Sequence, residues 1–131
     1  MTSPNLAIQA ALVSAFRHLD TAAEDRIYSK IPDEASYPYV QVWEGYEVPV
    51  DEDCSDRTES TLQVDIWADA QTYIKAKETA KAIRDFLHEN DAALTVAGHV
   101  VDRVRVETIN YTAGPPHYRA RLSVVVETQP A

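Results

Sequence analysis

Residues 60–67 read STLQVDIW, and this octet limits the fold more than any other stretch. Leu62, Val64 and Ile66 alternate with Thr61, Gln63, Asp65 and Trp67. A period of two puts the aliphatics on one side of a strand and the polar groups, with an indole, on the other. Such a strand needs neighbours of the same pattern and a layer to cover its aliphatic side. Two later runs repeat the pattern. In 100–107, Val100, Val104 and Val106 share one parity, and Arg103, Arg105 and Glu107 share the other. In 118–127, Ala120, Leu122, Val124 and Val126 oppose Arg119, Arg121, Ser123 and Glu127. The turn-rich NYTAGPPHY between these runs predicts a hairpin.

An earlier strand opens at Tyr39 and runs to about Val48. Val40 and Val42 define its core parity, with Tyr46 and Val48 in register and Glu44 as the one misfit. Tyr39 and Trp43 then fall on the outward parity, beside Trp67 of the next strand. Pro38 sets an extended entrance to the run, because proline biases its predecessor away from helix. Ile27 and Tyr28 predict a brief edge strand.

Two helical patterns supply the covering layer. Ser3 and Pro4 form an N-cap and first-turn pair. Leu6, Leu12, Val13, Phe16 and Leu19 then recur near a 3.6 period over 3–19, with Ile8 off the stripe. The second helix is predicted from about Ala70 to Glu89, capped by Asp69, with Tyr73, Ala76, Ala80, Ile83 and Leu87 on one face. The order α-β-β-α-β-β predicts an α+β fold: an antiparallel sheet of two β-hairpins with two helices packed on one face. At 131 residues it is read as a single domain, 1–131.

Little in the sequence carries chemistry. The three glycines, Gly45, Gly98 and Gly114, form no phosphate-binding motif. The four histidines are not at metal-ligand spacing, and no acid or nucleophile recurs beside them. The lone cysteine, Cys54, leaves no internal disulfide and no CxxC pair. Its acidic neighbours disfavour a thiolate. The stretch DEDCSDRTE lacks the central glycine of a calcium loop. The expectation is no enzyme, no cofactor and no metal. No apolar run approaches the ~20 residues of a membrane span, and MTSPNLAIQ has no basic n-region, so neither a membrane nor a secretory signal is expected.

Charge is the remaining signal. The formal net charge is −9, from 21 acids and 12 bases. That opposes a freestanding nucleic-acid binder, which needs Lys and Arg for phosphate contact. Residues 51–59 hold five acids and one base, and about 49–59 is read as a mobile acidic loop. Against it stand Arg103, Arg105, Arg119 and Arg121, alternating on the outward parity of the last two strands. Three readings compete for this face: solvated surface, nucleic-acid contact with stacking tryptophans, and a protein interface, where Trp, Tyr and Arg are enriched. The interface reading is preferred. Its candidates are Tyr39, Trp43 and Trp67, the four arginines, and the acids Asp51, Glu52, Asp53 and Asp56. An acidic loop of one copy meeting the arginine strip of the next is a heterologous contact, of the kind that closes into a ring.

The order of these pieces resembles a known family. Ile27-Tyr28, Pro32, Tyr37-Pro38-Tyr39-Val40, Val64-Asp65-Ile66-Trp67, the alanine-rich second helix ending at Leu87-His88, and Tyr118-Arg119 are similar to the small phage tail-completion or tail-terminator proteins, including their gene transfer agent equivalents. The resemblance covers nearly the whole chain. It implies a virion protein, assembled in the host cytoplasm, that forms a hexameric ring on the head-proximal end of a tail tube. The implied partners are further copies of itself, the tail tube protein and the head–tail connector, with DNA passing through the lumen without specific binding. The alternative is a head–tail connector or neck protein, of head-closure or joining type. A generic ligand-binding α+β module is a more distant one.

Overall fold

The computed structural model describes residues 3–52, 55–114 and 118–131, with only the backbone at 51, 52 and 55. The elements are α1 (Pro4–His18), β1 (Ile27–Tyr28), β2 (Tyr39–Val42), β3 (Tyr46–Glu52), β4 (Ser55–Ala68), α2 (Tyr73–Leu87), a 3-10 turn (Asp91–Ala93), β5 (His99–Thr112) and β6 (Tyr118–Pro130). The six strands form one sheet in the order β1-β2-β4-β6-β5, with β3 also on β4. β1 runs parallel to β2 and every other pairing is antiparallel. The fold is therefore α+β, but its sheet is mixed rather than purely antiparallel.

Local chemistry accounts for the helix ends. The Ser3 hydroxyl accepts the Leu6 N–H at 3.2 Å, and Pro4 opens α1. Arg17 and His18 occupy its last turn, where the helix dipole favours positive charge. The buried face of α1 is Ala7, Ile8, Leu12 and Phe16. This corrects the predicted stripe: Ile8 is fully buried and Leu6 is 59% exposed. Steps of four put 8, 12 and 16 on one face, and Leu6 lies about 200° around the axis from Ile8. The second helix begins later than expected, at Tyr73. Asp69 is not its N-cap. It caps the preceding turn instead, accepting the N–H groups of Gln71 at 3.1 Å and Thr72 at 2.9 Å.

Buried residues of both helices join Val40, Val42, Leu62, Val64, Ile66, Val104, Val106, Ala120, Leu122, Val124 and Val126 in one core cluster. Ile83 is completely buried within it. Ile83→Ala should cost about 2–5 kcal/mol, through lost burial and the cavity left behind. Urea denaturation measures this directly.

The strand that opens at Tyr39 does not keep one parity. Val42 pairs with Val64 and Tyr46 pairs with Thr61, so residues 43–45 face only Leu62 and Gln63. That extra residue is a β-bulge, and it exchanges the two sides of the strand. Tyr46 and Val48 are consequently not core: they are 63% and 48% exposed. Gly45 takes φ +67° at the bulge. A Cβ there would lie 1.8 Å from the Thr61 carbonyl oxygen. From α1, Gln9 donates to the Val42 carbonyl at 3.0 Å and Asn5 to the Glu44 carbonyl at 2.7 Å. The helix thus satisfies backbone groups around the bulge. The Tyr37–Pro38 peptide just before β2 is cis.

The predicted loop at 49–59 is also corrected. Its described residues are strand: β3 pairs with β4 from Tyr46↔Thr61 through Glu52↔Ser55, and since β4 also pairs with β6 from Thr58 onward, only 50–52 and 55–57 extend as a two-stranded arm. Asp53 and Cys54 lie outside the described residues. On the opposite rim, α2 ends against β5. The Val106 N–H donates to His88 Nδ1 at 3.0 Å, and the Glu89 N–H donates to the Val104 carbonyl at 2.7 Å.

Candidate assembly surface

Directly paired residues share a face of a sheet, so the strand register defines rows on the side away from the helices. One row is Tyr39, Trp67, Arg119 and Thr112. The next is Gln41, Asp65, Arg121 and Asn110. Trp43 continues the alternation, its N–H bonded to the Gln63 carbonyl at 2.8 Å. The sheet therefore brings Tyr39, Trp43, Trp67, Arg119 and Arg121 together on one face.

Asp65 organises this face. Its carboxylate is completely buried. It accepts from Arg121 Nε at 2.8 Å and Nη2 at 3.1 Å, from Trp43 Nε1 at 2.7 Å and from Gln63 Nε2 at 3.2 Å. Such bidentate, charge-assisted bonds are the strong ones. Bonding to Asp65 pushes the Arg121 guanidinium above its ordinary pKa. Trp67 Nε1 donates to Gln41 Oε1 at 3.3 Å, and the Arg119 guanidinium lies 5.4 Å from the Trp67 ring centre. Tyr39 stacks on Tyr37 at 5.5 Å and meets Tyr28 at 6.1 Å. Burial, then the neighbouring Tyr37, raises the Tyr39 pKa.

The arginine strip is not an open positive surface. Arg105 lies within 3.3 Å of Glu127, 3.4 Å of Glu107 and 3.8 Å of Glu59. Arg103 binds Glu89 at 2.8 Å. With Arg121 on Asp65, three of the four arginines hold carboxylates of their own chain. Asp51, Glu52 and Asp56 belong to the far end of the β3–β4 arm, where Asp51 pairs with Asp56 and Glu52 with Ser55. Asp65, Glu59, Glu89 and Glu127 are the partners that sequence reasoning missed. A signal existed for two of them, since Asp65 and Glu127 share the outward parity of their strands.

The Arg103 pair is exposed and has a pH signature. Hydrogen bonding to Arg103 holds the Glu89 carboxyl below its ordinary value. A depressed carboxyl contributes stability above its unfolded pKa, about 4.3, and loses it as pH falls through the folded value. Glu89→Gln should therefore flatten the fall in melting temperature below about pH 4.3, while leaving the neutral-pH slope unchanged. A pH series of thermal melts tests this.

Three histidines are engaged with backbone. His18 Nδ1 bonds the Ser14 carbonyl at 2.8 Å, His99 Nδ1 bonds the Ala97 carbonyl at 2.9 Å, and His88 is the acceptor described above. His117 lies outside the described residues. The outer face thus presents aromatic rings and internally paired charges, which suits contact with another macromolecule.

Among the described residues, both helices share one core with the aliphatic parity of an α+β sheet, and Tyr39, Trp43 and Trp67 lie on the other parity. Residues 7–127 match the family Tail completion protein gp17, and the chain belongs to that family of structural phage tail proteins, components of the virion. Its fold is similar to that of a chain in a virion of a native gene transfer agent particle. The TM-score is 0.83 at 16% identity, over 98% of this chain and 99% of the other. A second solved protein superposes with a TM-score of 0.61 at 15% identity, over 95% of this chain and 92% of its own. No curated protein matches the sequence.

Proposed function

We propose that this chain assembles as a ring on the head-proximal end of a tail tube, ends tube growth there and provides the joint to the head. Membership of the tail completion family carries this reading. The uncovered sheet face and the projecting arm support it, since a ring subunit needs contact surfaces of that kind. The ring is hexameric in this reading, and its partners are the tube protein and the head–tail connector. The net charge of −9 suits a lumen that repels the DNA passing through it. No reaction and no cofactor enter the mechanism. The protein acts by occupying the tube end and refusing the next tube subunit.

The test is to add the purified protein to polymerising tube protein of the same particle. Tube lengths measured by negative-stain microscopy should shorten as the added protein increases, with a ring at one end. Unchanged lengths, with the protein bound to purified connector instead, would replace termination by a head-joining role.

A further inference from the structure

The two rows of the outer face differ in one respect. In the row of Gln41, Asp65 and Arg121, the arginine of β6 has an acid directly opposite it on β4. In the row of Tyr39, Trp67 and Arg119, the residue opposite the arginine is an indole. Arg119 lies 5.4 Å from the centre of that ring. Its Nε is shielded from solvent and has no acceptor among the described residues. The acids two residues either side of Trp67 are engaged elsewhere. Asp65 is held by Arg121, and Asp69 by the N–H groups of Gln71 and Thr72 and by the Thr72 hydroxyl. The β5 member of the row is Thr112. Residues 115–117, which lead into β6, are Pro-Pro-His and bring no carboxylate. Among the described residues, Arg119 is thus the arginine of the strip whose charge its own chain leaves unanswered.

The surroundings of Arg119 suit it to binding. The indole behind the guanidinium restrains it, so less side-chain freedom is lost when a ligand arrives. Tyr39, across Trp67 in the same row, is braced by Tyr37 and Tyr28. An arginine set among aromatics that exclude water is the common composition of an energetic anchor at a protein interface. A guanidinium presents paired N–H donors, and that fork matches a carboxylate. Nucleic acid requires several phosphate contacts, but Arg103, Arg105 and Arg121 already hold acids of their own chain. The face therefore suits one carboxylate better than a run of phosphates.

We infer that Arg119, backed by Trp67, receives a carboxylate from a second copy of this chain. Charge identifies the source. The chain has 21 acids for 12 bases, so each copy carries acids that its own bases cannot match. Two copies at −9 also repel one another. A stable contact between them sets an unspent cation of one against a surplus acid of the other, and this face offers such a cation among rings that shield it. The arginine and the acid it receives lie on different patches, so the contact is heterologous and repeats from copy to copy around a ring. This inference rests on the ring-forming reading above and names the residue on which neighbouring copies would lock.

Self-association of the full chain, followed by light scattering, tests it. Arg119→Glu and Arg119→Gln should each weaken association at least about tenfold. Arg119→Lys should recover part of the loss, because a point charge lacks the fork. Lys75→Glu, at an exposed position of α2, changes the net charge as much as Arg119→Glu and should associate like wild type. Thermal melts check that each variant is folded, and Arg119→Gln decides the matter if Arg119→Glu is not. Wild-type association by Arg119→Gln would overturn the proposal. An equal loss in Lys75→Glu would overturn it too, since the effect would then be one of net charge. So would a wild type that remains monomeric at about 1 mM. Unchanged self-association of Arg119→Gln together with lost binding of a single-stranded oligonucleotide would assign the arginine to phosphate instead. These results leave the tube-length experiment untouched, so the tail-end reading fails or stands separately.

Discussion

Gly45→Ala should destabilise the protein by about 3–5 kcal/mol, at the upper end for a single substitution. Two effects add at this position. An L-residue at φ +67° costs about 1–2 kcal/mol. The new methyl would also sit 1.8 Å from the Thr61 carbonyl oxygen, which is backbone and has no rotamer to escape through. Gly98 is the internal control. It also has positive φ, at +77°, but nothing lies within 4 Å of a Cβ there. Gly98→Ala should therefore cost only about 1–2 kcal/mol. Equal midpoints for the two variants in a denaturant titration would mean that the close approach at the bulge is not a constraint.

Arg121→Met should cost about 3–5 kcal/mol, because it leaves a buried carboxylate without its counter-charge. Asp65 keeps Trp43 and Gln63 as donors, but neither carries charge. Arg121→Lys should recover only part of the loss, since a point charge does not reproduce the two-pronged bond. Combining Arg121→Met with Asp65→Asn should be less harmful than Arg121→Met alone, because no ion then remains buried. Chemical denaturation of the three variants decides this. If the double variant is the worst, Asp65 owes its place to shape rather than to charge.

Much of the fold was legible because alternation survives wherever register is unbroken. Leu62, Val64 and Ile66, and Ala120, Leu122, Val124 and Val126, are all core as their parity requires. Legibility failed where one residue was added. The parity of 39–42 extrapolates smoothly to 46–48, yet the bulge reverses it. The hint was a glycine inside an alternating run, which marks a bulge or a close backbone approach. The arm was misread for another reason. Its acids suggest a solvated loop, but the β3–β4 ladder continues past Thr58, where the β6 pairing stops, to Glu52↔Ser55. Pairing overrides composition there. The charge balance of the arginines was hidden because it depends on β4 lying next to β6. Asp65 and Arg121 are 56 residues apart in the chain and opposite each other in the sheet.

The end of α2 has a consequence for how this protein behaves at high concentration. β5 is a 14-residue strand that, among the described residues, has a strand neighbour on one side only. Its open side, left bare, would invite a strand from any other molecule. His88 and Glu89 occupy that side at Val106 and Val104, in the middle of what would be the template. The middle of the strand is thereby closed to open-ended pairing with strands of other molecules. His88→Ala, which frees the Val106 N–H, would reopen that seam to edge-to-edge aggregation.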